Sequence, residues 1–308
     1  MNIFYRAMIG ERGKSVLVYV NGQLMPKEEA SVSVYDSGFL YGDAVFEGIR
    51  AYNGKIFKLD EHIERLFDSA HVLQIKIGMS KDEVKRAILM TVRENKLMDA
   101  HIKPIVSRGR KAKTGLNPKF CQYGPTFVII AEPKEPTLSR EGVRVIVSSY
   151  RRNPPECLDA KVKCCNYINN LLARLEAIRA GVDDAMMLDT RGFVAEMCAT
   201  NVFIAKRDRI YTPYPHSCLN GITRLTIMDL ARQHGIEVQE RDISLSEVYT
   251  ASECFATGTA AEVAPVIEVN GRTIGDGKPG PTTSELIEKF RELVSREGTA
   301  VYEQAAGI

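Results

Sequence analysis

Ala160-Lys-Val-Lys-Cys-Cys-Asn-Tyr167 is the stretch whose reading decides the fold. It lies between a proline-rich loop, Arg151-Arg-Asn-Pro-Pro155, and a segment whose apolar residues recur as Ile168, Leu171, Leu172 and Leu175, the spacing of a helix. Gly181 marks where that helix stops. A lysine at such a loop-to-helix junction is held near one fixed point, and a partly desolvated one can serve as a Schiff-base amine. Lys161 and Lys163 compete for that role, since two residues apart on an extended segment they share a face. Taken alone, either is most simply a solvated surface charge.

Working outward, the 308 residues suffice for two domains or one large one with a sizeable core. Forty-one basic residues against 39 acidic ones leave a net charge of +2, so no global field favours nucleic acid or a membrane surface. The seven cysteines are an odd count with no Cys-x-x-Cys pair, which indicates neither a disulfide framework nor a metal site. Reduced thiols fit a cytoplasmic protein. Met1-Asn-Ile-Phe-Tyr-Arg6 is too short an apolar run for a signal peptide, and no segment is long enough to span a bilayer.

Val16–Val20 is strand-like and runs into Asn21-Gly22, a hairpin turn; Asn53-Gly54 separates Val45–Tyr52 from Lys55–Lys58 in the same manner. Helical spacing follows from Asp60, through Ile63, Leu66, Phe67 and Ala70, and again over Lys81–Asn95. Ile102–Ser107 and Thr126–Ala131 read as strands around a long basic loop, Arg108–Pro125. Glu132-Pro-Lys-Glu-Pro-Thr137 is polar and twice interrupted by proline, as a linker is. Beyond it come strands near Val143–Ser149, Ala185–Leu188, Asn201–Ala205, Ile236–Ile243, Cys254–Thr257 and Val263–Val269. Helices are expected after Lys163, from Ile222 to Gly235, and at the end through Leu286, Phe290, Leu293 and Val294. Hairpins mixed with separated helices argue an α+β class. The division expected is a smaller domain over 1–131, a linker over 132–139 and a larger domain over 140–308.

Lys163-x-x-Asn166-Tyr167 before an apolar helix resembles the cofactor-lysine segment of the fold-type IV pyridoxal-phosphate aminotransferases. Asp184 to Glu196 with Asn201-Val-Phe-Ile204 is similar to that family's next block, and Leu219-Asn-Gly-Ile-Thr-Arg224 and Thr257-Gly-Thr-Ala-Ala-Glu262 to its two phosphate segments. Tyr41-Gly-Asp-Ala-Val-Phe-Glu-Gly-Ile-Arg50 and Glu61-His-Ile-Glu-Arg65-Leu resemble its N-terminal motifs. The match runs in order from about Val18 to Pro281, and the subgroup it most resembles is the branched-chain amino acid aminotransferases.

The resemblance implies two domains, the larger a pseudo-barrel, with pyridoxal 5'-phosphate in the cleft between them. It selects Lys163 over Lys161 as the lysine of the internal aldimine and leaves Lys161 a surface charge. It puts Arg65, Ile222, Thr223 and Thr259 on the phosphate. A helix N-terminus at Gly221-Ile-Thr is itself a ready anion site, and a dianion calls for a two-pronged cation. Glu196 is implied against the pyridine nitrogen, Tyr167 against the phenolate, and Leu219 over one ring face. Tyr41, Phe46, Arg50, His101, Lys103 and Ala260 are implied on the substrate side, with Tyr41 contributed by a neighbouring subunit of a homodimer or higher oligomer.

Three departures from the family pattern stand out. Met197-Cys198-Ala199 follow Glu196 where small residues are usual, so a narrower pocket is expected. His101-Ile102-Lys103 stands where Tyr-x-Arg is common, which keeps the charge but loses the planar grip on a carboxylate. Arg108-Gly-Arg-Lys-Ala-Lys113 is unusually basic and, near a cleft, would attract dicarboxylates. The implied reaction is ping-pong transfer of an amino group from L-leucine, L-isoleucine or L-valine to 2-oxoglutarate. Alternatives on the same fold are a D-amino acid or (R)-amine transaminase and an aminodeoxychorismate lyase. A cofactor-binding protein without turnover is the alternative of another class.

Overall fold

The computed structural model describes residues 15–133 and 135–302, so the Met1–Arg6 run lies outside it. Two sheets organise the chain. The first has eight strands, in the order Thr299–Ala300, Lys55–Ile56, Ile49–Tyr52, Ala100–Ser107, Thr126–Glu132, Leu17–Val20, Gln23–Pro26, with Ala44–Phe46 also on Ala100–Ser107. Asn21 and Gly22 both adopt positive φ, as do Asn53 and Gly54, which is the mirror-image turn that a two-residue hairpin requires. Helices Leu59–Val72 and Lys81–Glu94 cover one face, packing Ile63, Leu66, Val84, Ile88 and Val92 against Ile49, Ile102 and Ile129.

The continuous strand expected over Val45–Tyr52 is two strands, Ala44–Phe46 and Ile49–Tyr52, on the same partner. Opposite the break stands Pro104, which has no N–H to give to the ladder. The Glu47 N–H instead donates to the Pro104 carbonyl at 2.9 Å, and the chain turns there.

The second sheet has nine strands, running Val194–Met197, Asp184–Leu188, Val143–Val147, Glu262–Val269, Glu253–Gly258, Asn201–Lys206, Arg209–Thr212, Glu237–Glu240, with Arg272–Thr273 beside Glu262–Val269. It is mixed, since Val143–Val147 pairs in parallel with both neighbours. A tight turn, closed by Met197 N–H to Thr200 C=O at 2.8 Å, joins the edge strand directly to Asn201–Lys206 and curls the sheet into a partial barrel. Side chains alternate across it: Val202, Ile204 and Ala256 fill the inside with Met186 and Met197. Phe203 and Phe255, stacked at 4.9 Å, face the helices Ile222–Gln233 and Pro281–Arg296 outside. Burial on both faces is why these strands read as nearly unbroken apolar runs.

Two elements depart from expectation. Thr299–Ala300 returns to pair with Lys55–Ile56, and Val301 is buried in the first core, so this last described strand packs with the first unit. The helix Ile168–Ala180 is present and capped by Gly181 at positive φ, but it buries Asn170, Ala173 and Ala177. Its large apolar residues Ile168, Leu171 and Leu175 face outward.

Candidate active site

Lys163 enters a cleft between the two sheets through main-chain anchors on both sides. Its N–H donates to Ser69 Oγ at 3.1 Å, its carbonyl accepts from Phe46 N–H at 3.0 Å, and Cys164 bridges to Val45. The segment is thereby stitched to the first sheet just before its own helix begins. The Lys163 amine donates to the Tyr167 hydroxyl at 3.3 Å and lies 4.5 Å from the Phe46 ring centroid. The Phe46 and Tyr167 rings meet edge-on at 5.3 Å. Lys161, by contrast, lies outside the cleft lining and pairs loosely with Asp159 at 3.5 Å, its side chain half exposed.

One end of the cleft is built for an anion. Ile222–Gln233 starts at Gly221 with no side-chain cap, so the first-turn N–H groups of Ile222 and Thr223 face it unclaimed by a cap. Gly221 is required here, because a Cβ would come within 2.1 Å of Asn201 Oδ1, the residue whose Nδ2 holds the Leu219 carbonyl at 2.8 Å. Arg65 reaches the same turn through Nη1 to Asn220 C=O at 3.2 Å. Thr259 and Ala260, at the tip of the hairpin between Glu253–Gly258 and Glu262–Val269, line the opposite wall.

Arg65 is itself held, by a residue the motif reading passed over. Glu47 is fully buried and takes Arg65 Nε at 2.6 Å on one oxygen and Nη2 at 2.8 Å on the other. His62 Nδ1 lies 2.8 Å from the same carboxylate. Burial pushes the Glu47 carboxyl up, but Arg65 and His62 outweigh it and hold it down to about 2. Burial lowers the His62 pKa below its ordinary value, with Glu47 opposing. Glu47 is therefore ionised and His62 neutral at neutral pH, so the imidazole donates. The signal was present: His62 and Arg65 are three apart on a helix, hence neighbours on one face.

At the far end Glu196 is buried on the strand Val194–Met197, with Arg152 Nε at 2.8 Å and the Leu219 N–H at 3.2 Å. Its pKa is raised by burial, which Arg152, the Leu219 N–H and the Lys163 charge partly offset. Arg152, from the proline-rich loop, was not singled out by its sequence surroundings. Of Met197-Cys198-Ala199, Met197 points away into the barrel core, while Cys198 and Ala199 line the cleft. The narrowing expected from Met197 is absent because alternation along the strand turns it inward.

On the third side stand His101 and Lys103, with the Lys103 amine 4.8 Å from the Phe46 centroid. Arg50 and Tyr41 do not line this cleft. Arg50 turns to the other side of its strand and pairs with Glu262 at 3.6 Å. The Tyr41 hydroxyl accepts from Gly115 N–H at 3.0 Å, under the basic loop. That loop faces away from the chain's own cleft: Arg108 is clamped by Asp43 at 2.7 Å, and Arg110 and Lys113 lie over Tyr123 and Phe120.

The cleft fits pyridoxal phosphate on its own features. A lysine amine sits between a cationic, N–H-rich end and a buried carboxylate. The hydroxyls of Thr200 and Thr257 are buried in its lining without a hydrogen-bond partner among the described residues. No group of His, Cys, Asp and Glu that could hold a metal ion occurs among the described residues, and no described helix is long and apolar enough to cross a membrane.

Residues 44–269 match the family described as amino-transferase class IV. A putative branched-chain-amino-acid aminotransferase of Methanocaldococcus jannaschii is 46% identical over 288 residues, covering 93% of this chain and 99% of that protein. Branched-chain-amino-acid aminotransferase-like protein 2 of Arabidopsis thaliana is 44% identical over 288 residues and 93% of this chain, which spans only 52% of that longer relative. Among solved structures, a branched-chain aminotransferase from the thermophilic archaeon Thermoproteus uzoniensis, with norvaline, superimposes with a TM-score of 0.87 at 35% identity, over 94% of this chain and 100% of that one. A second, a branched-chain amino acid aminotransferase complexed with N-(5'-phosphopyridoxyl)-L-glutamate, gives a TM-score of 0.87 at 38% identity, over 92% of this chain and 95% of that one.

Proposed function

The chain belongs to the class IV aminotransferases, and from that premise we propose that it moves an amino group from L-leucine, L-isoleucine or L-valine to 2-oxoglutarate in two half-reactions. The observation that carries the proposal is the Lys163 amine, 3.3 Å from the Tyr167 hydroxyl, between the Arg65–Thr223–Thr259 end and Glu196. Bound pyridoxal phosphate supplies an aldehyde and an electron-withdrawing ring. Lys163 would hold the aldehyde and, as a free neutral amine, would take the proton from the substrate Cα. Tyr167 orients that amine. Arg65, the Ile222 and Thr223 N–H groups and the Thr223 and Thr259 hydroxyls take the phosphate, and Leu219 closes one ring face. Glu196, backed by Arg152, keeps the proton on the ring nitrogen.

On the substrate side Phe46 offers an apolar face to a branched side chain, and Ala260 leaves room beside it. Lys103, next to His101, takes the distal carboxylate of glutamate and is spared by leucine. A homodimer is the assembly proposed. Phe39 (69% exposed), Leu116 (80%) and Ile168 (66%) are large apolar side chains that a partner would cover. Tyr41 and the basic loop, turned from their own cleft, then serve the neighbour's. Seven free thiols fit a reducing compartment, and a cytoplasmic location is proposed. A screen of 2-oxo-acid release over L-, D- and ω-amines tests the reading. L-Leucine, L-isoleucine or L-valine is expected to lead; D-alanine or an (R)-arylamine ahead of all three would refute the branched-chain part.

A further inference from the structure

Behind the hairpin tip that lines the cleft lies a charged cluster that the chemistry above does not use. The strands Glu253–Gly258 and Glu262–Val269 pair Gly258 with Glu262, so Thr259, Ala260 and Ala261 form a three-residue tip. Thr259 and Ala260 donate to no other backbone carbonyl among the described residues, leaving their N–H groups for what enters the cleft. Glu262 closes the hairpin at φ 59°, the left-handed position that such loops usually give to glycine or asparagine. A buried glutamate in that conformation persists only when its surroundings hold it.

They hold it from two sides. Arg140, in the connection between the sheets, reaches Glu262 Oε2 at 2.6 Å. Arg50, from the strand Ile49–Tyr52 of the first sheet, lies 3.6 Å from Oε1. Burial, together with the negative charge of Glu262, raises the pKa of the neighbouring Tyr52 hydroxyl. The connection also takes hold of the tip directly, through Thr137 N–H to Ala260 C=O at 2.9 Å. One carboxylate thus ties the first sheet, the connection and the cleft-lining hairpin together.

We infer that Glu262 is a positioning residue: its ion pairs with Arg50 and Arg140 fix the 257–261 hairpin so that the tip meets substrate and cofactor anions in one set orientation. This rests on the cleft being the aminotransferase site. A loosened tip weakens the binding of every anion it meets, while Lys163, on the segment before the helix Ile168–Ala180, and Glu196, on the strand Val194–Met197, keep their chemistry.

The test is Glu262→Gln, which keeps the shape and removes the charge, measured beside wild type. In the cofactor-free protein, hydrogen exchange at the ladder residues flanking the tip, 257–258 and 262–263, should quicken by about tenfold, a loss typical of one coupled pair, with the rest of the second sheet unchanged. In the holoenzyme the KM of both substrates should rise about tenfold with kcat within roughly twofold of wild type. Arg140→Gln, at a partly exposed position, should shift both readouts in the same direction and decides the matter where Glu262→Gln does not fold. Wild-type exchange at 257–258 and 262–263, or loosening spread evenly over the sheet, overturns the inference. A wild-type protein that transfers no amino group overturns the functional reading instead, and the exchange result stands apart from it.

Discussion

Arg65→Ala separates the pairing of one guanidinium with Glu47 from the phosphate role proposed for it. In the structure Arg65 neutralises Glu47, fully buried, through contacts of 2.6 and 2.8 Å; its removal leaves that carboxylate with His62 and the Gly48 N–H at 3.3 Å. Breaking a buried pair by deleting one partner costs about 3–5 kcal/mol. On its proposed role, the same deletion also removes a cation from the phosphate, at about 1.5–3 kcal/mol, roughly ten- to a hundredfold in cofactor affinity. Adding Glu47→Gln removes the orphaned charge without restoring the cation. Urea unfolding of the cofactor-free proteins should therefore show the double variant recovering more than half of the lost stability. Pyridoxal phosphate titrations should show both variants equally weak. A double variant no more stable than Arg65→Ala would refute the pairing with Glu47, and one that binds cofactor as wild type does would refute the phosphate role.

Lys103→Ala should raise the KM for 2-oxoglutarate several-fold more than that for leucine. In wild type, the 2-oxoglutarate KM should climb with added salt, because a partly exposed lysine is a screened point charge; steady-state kinetics at two ionic strengths check both. His62 sets a pH window. Burial lowers its pKa in the folded chain, so the unfolded imidazole takes up a proton first as pH falls through about 6.5. Its contribution is complete above that value and is lost below it, while Glu47, held down to about 2, stays ionised throughout. Urea midpoints between pH 7.5 and 5.5 should fall for wild type and fall less for His62→Gln.

Much of this architecture was legible because each signal was local. Asn-Gly turns, the Gly181 cap and strands apolar on both faces announce themselves within a few residues, and the Lys163 and Gly221 segments carry their surroundings with them. What escaped was non-local. Pro104 interrupts a strand far back in the sequence, by leaving its partner without a donor. Thr299–Ala300 is too short to show a period, yet closes the first sheet. The outward face of Ile168–Ala180 has the same spacing as a buried one, since periodicity names a stripe and not what covers it. Arg50 sits within a motif but on the far side of its strand, where it meets Glu262. Glu47 and Arg152 act through buried charge pairing across distant segments, which their own sequence surroundings do not reveal, whereas the His62–Arg65 spacing did point to a shared partner.

The central claim is that the cleft closes on Lys163, and covalent trapping tests it most directly. Borohydride reduction of the protein loaded with pyridoxal phosphate, followed by peptide mapping, should place the phosphopyridoxyl label on Lys163 alone. Label on Lys161, whose amine lies outside the cleft lining, or on Lys103, which shares the Phe46 ring with Lys163, would contradict the account.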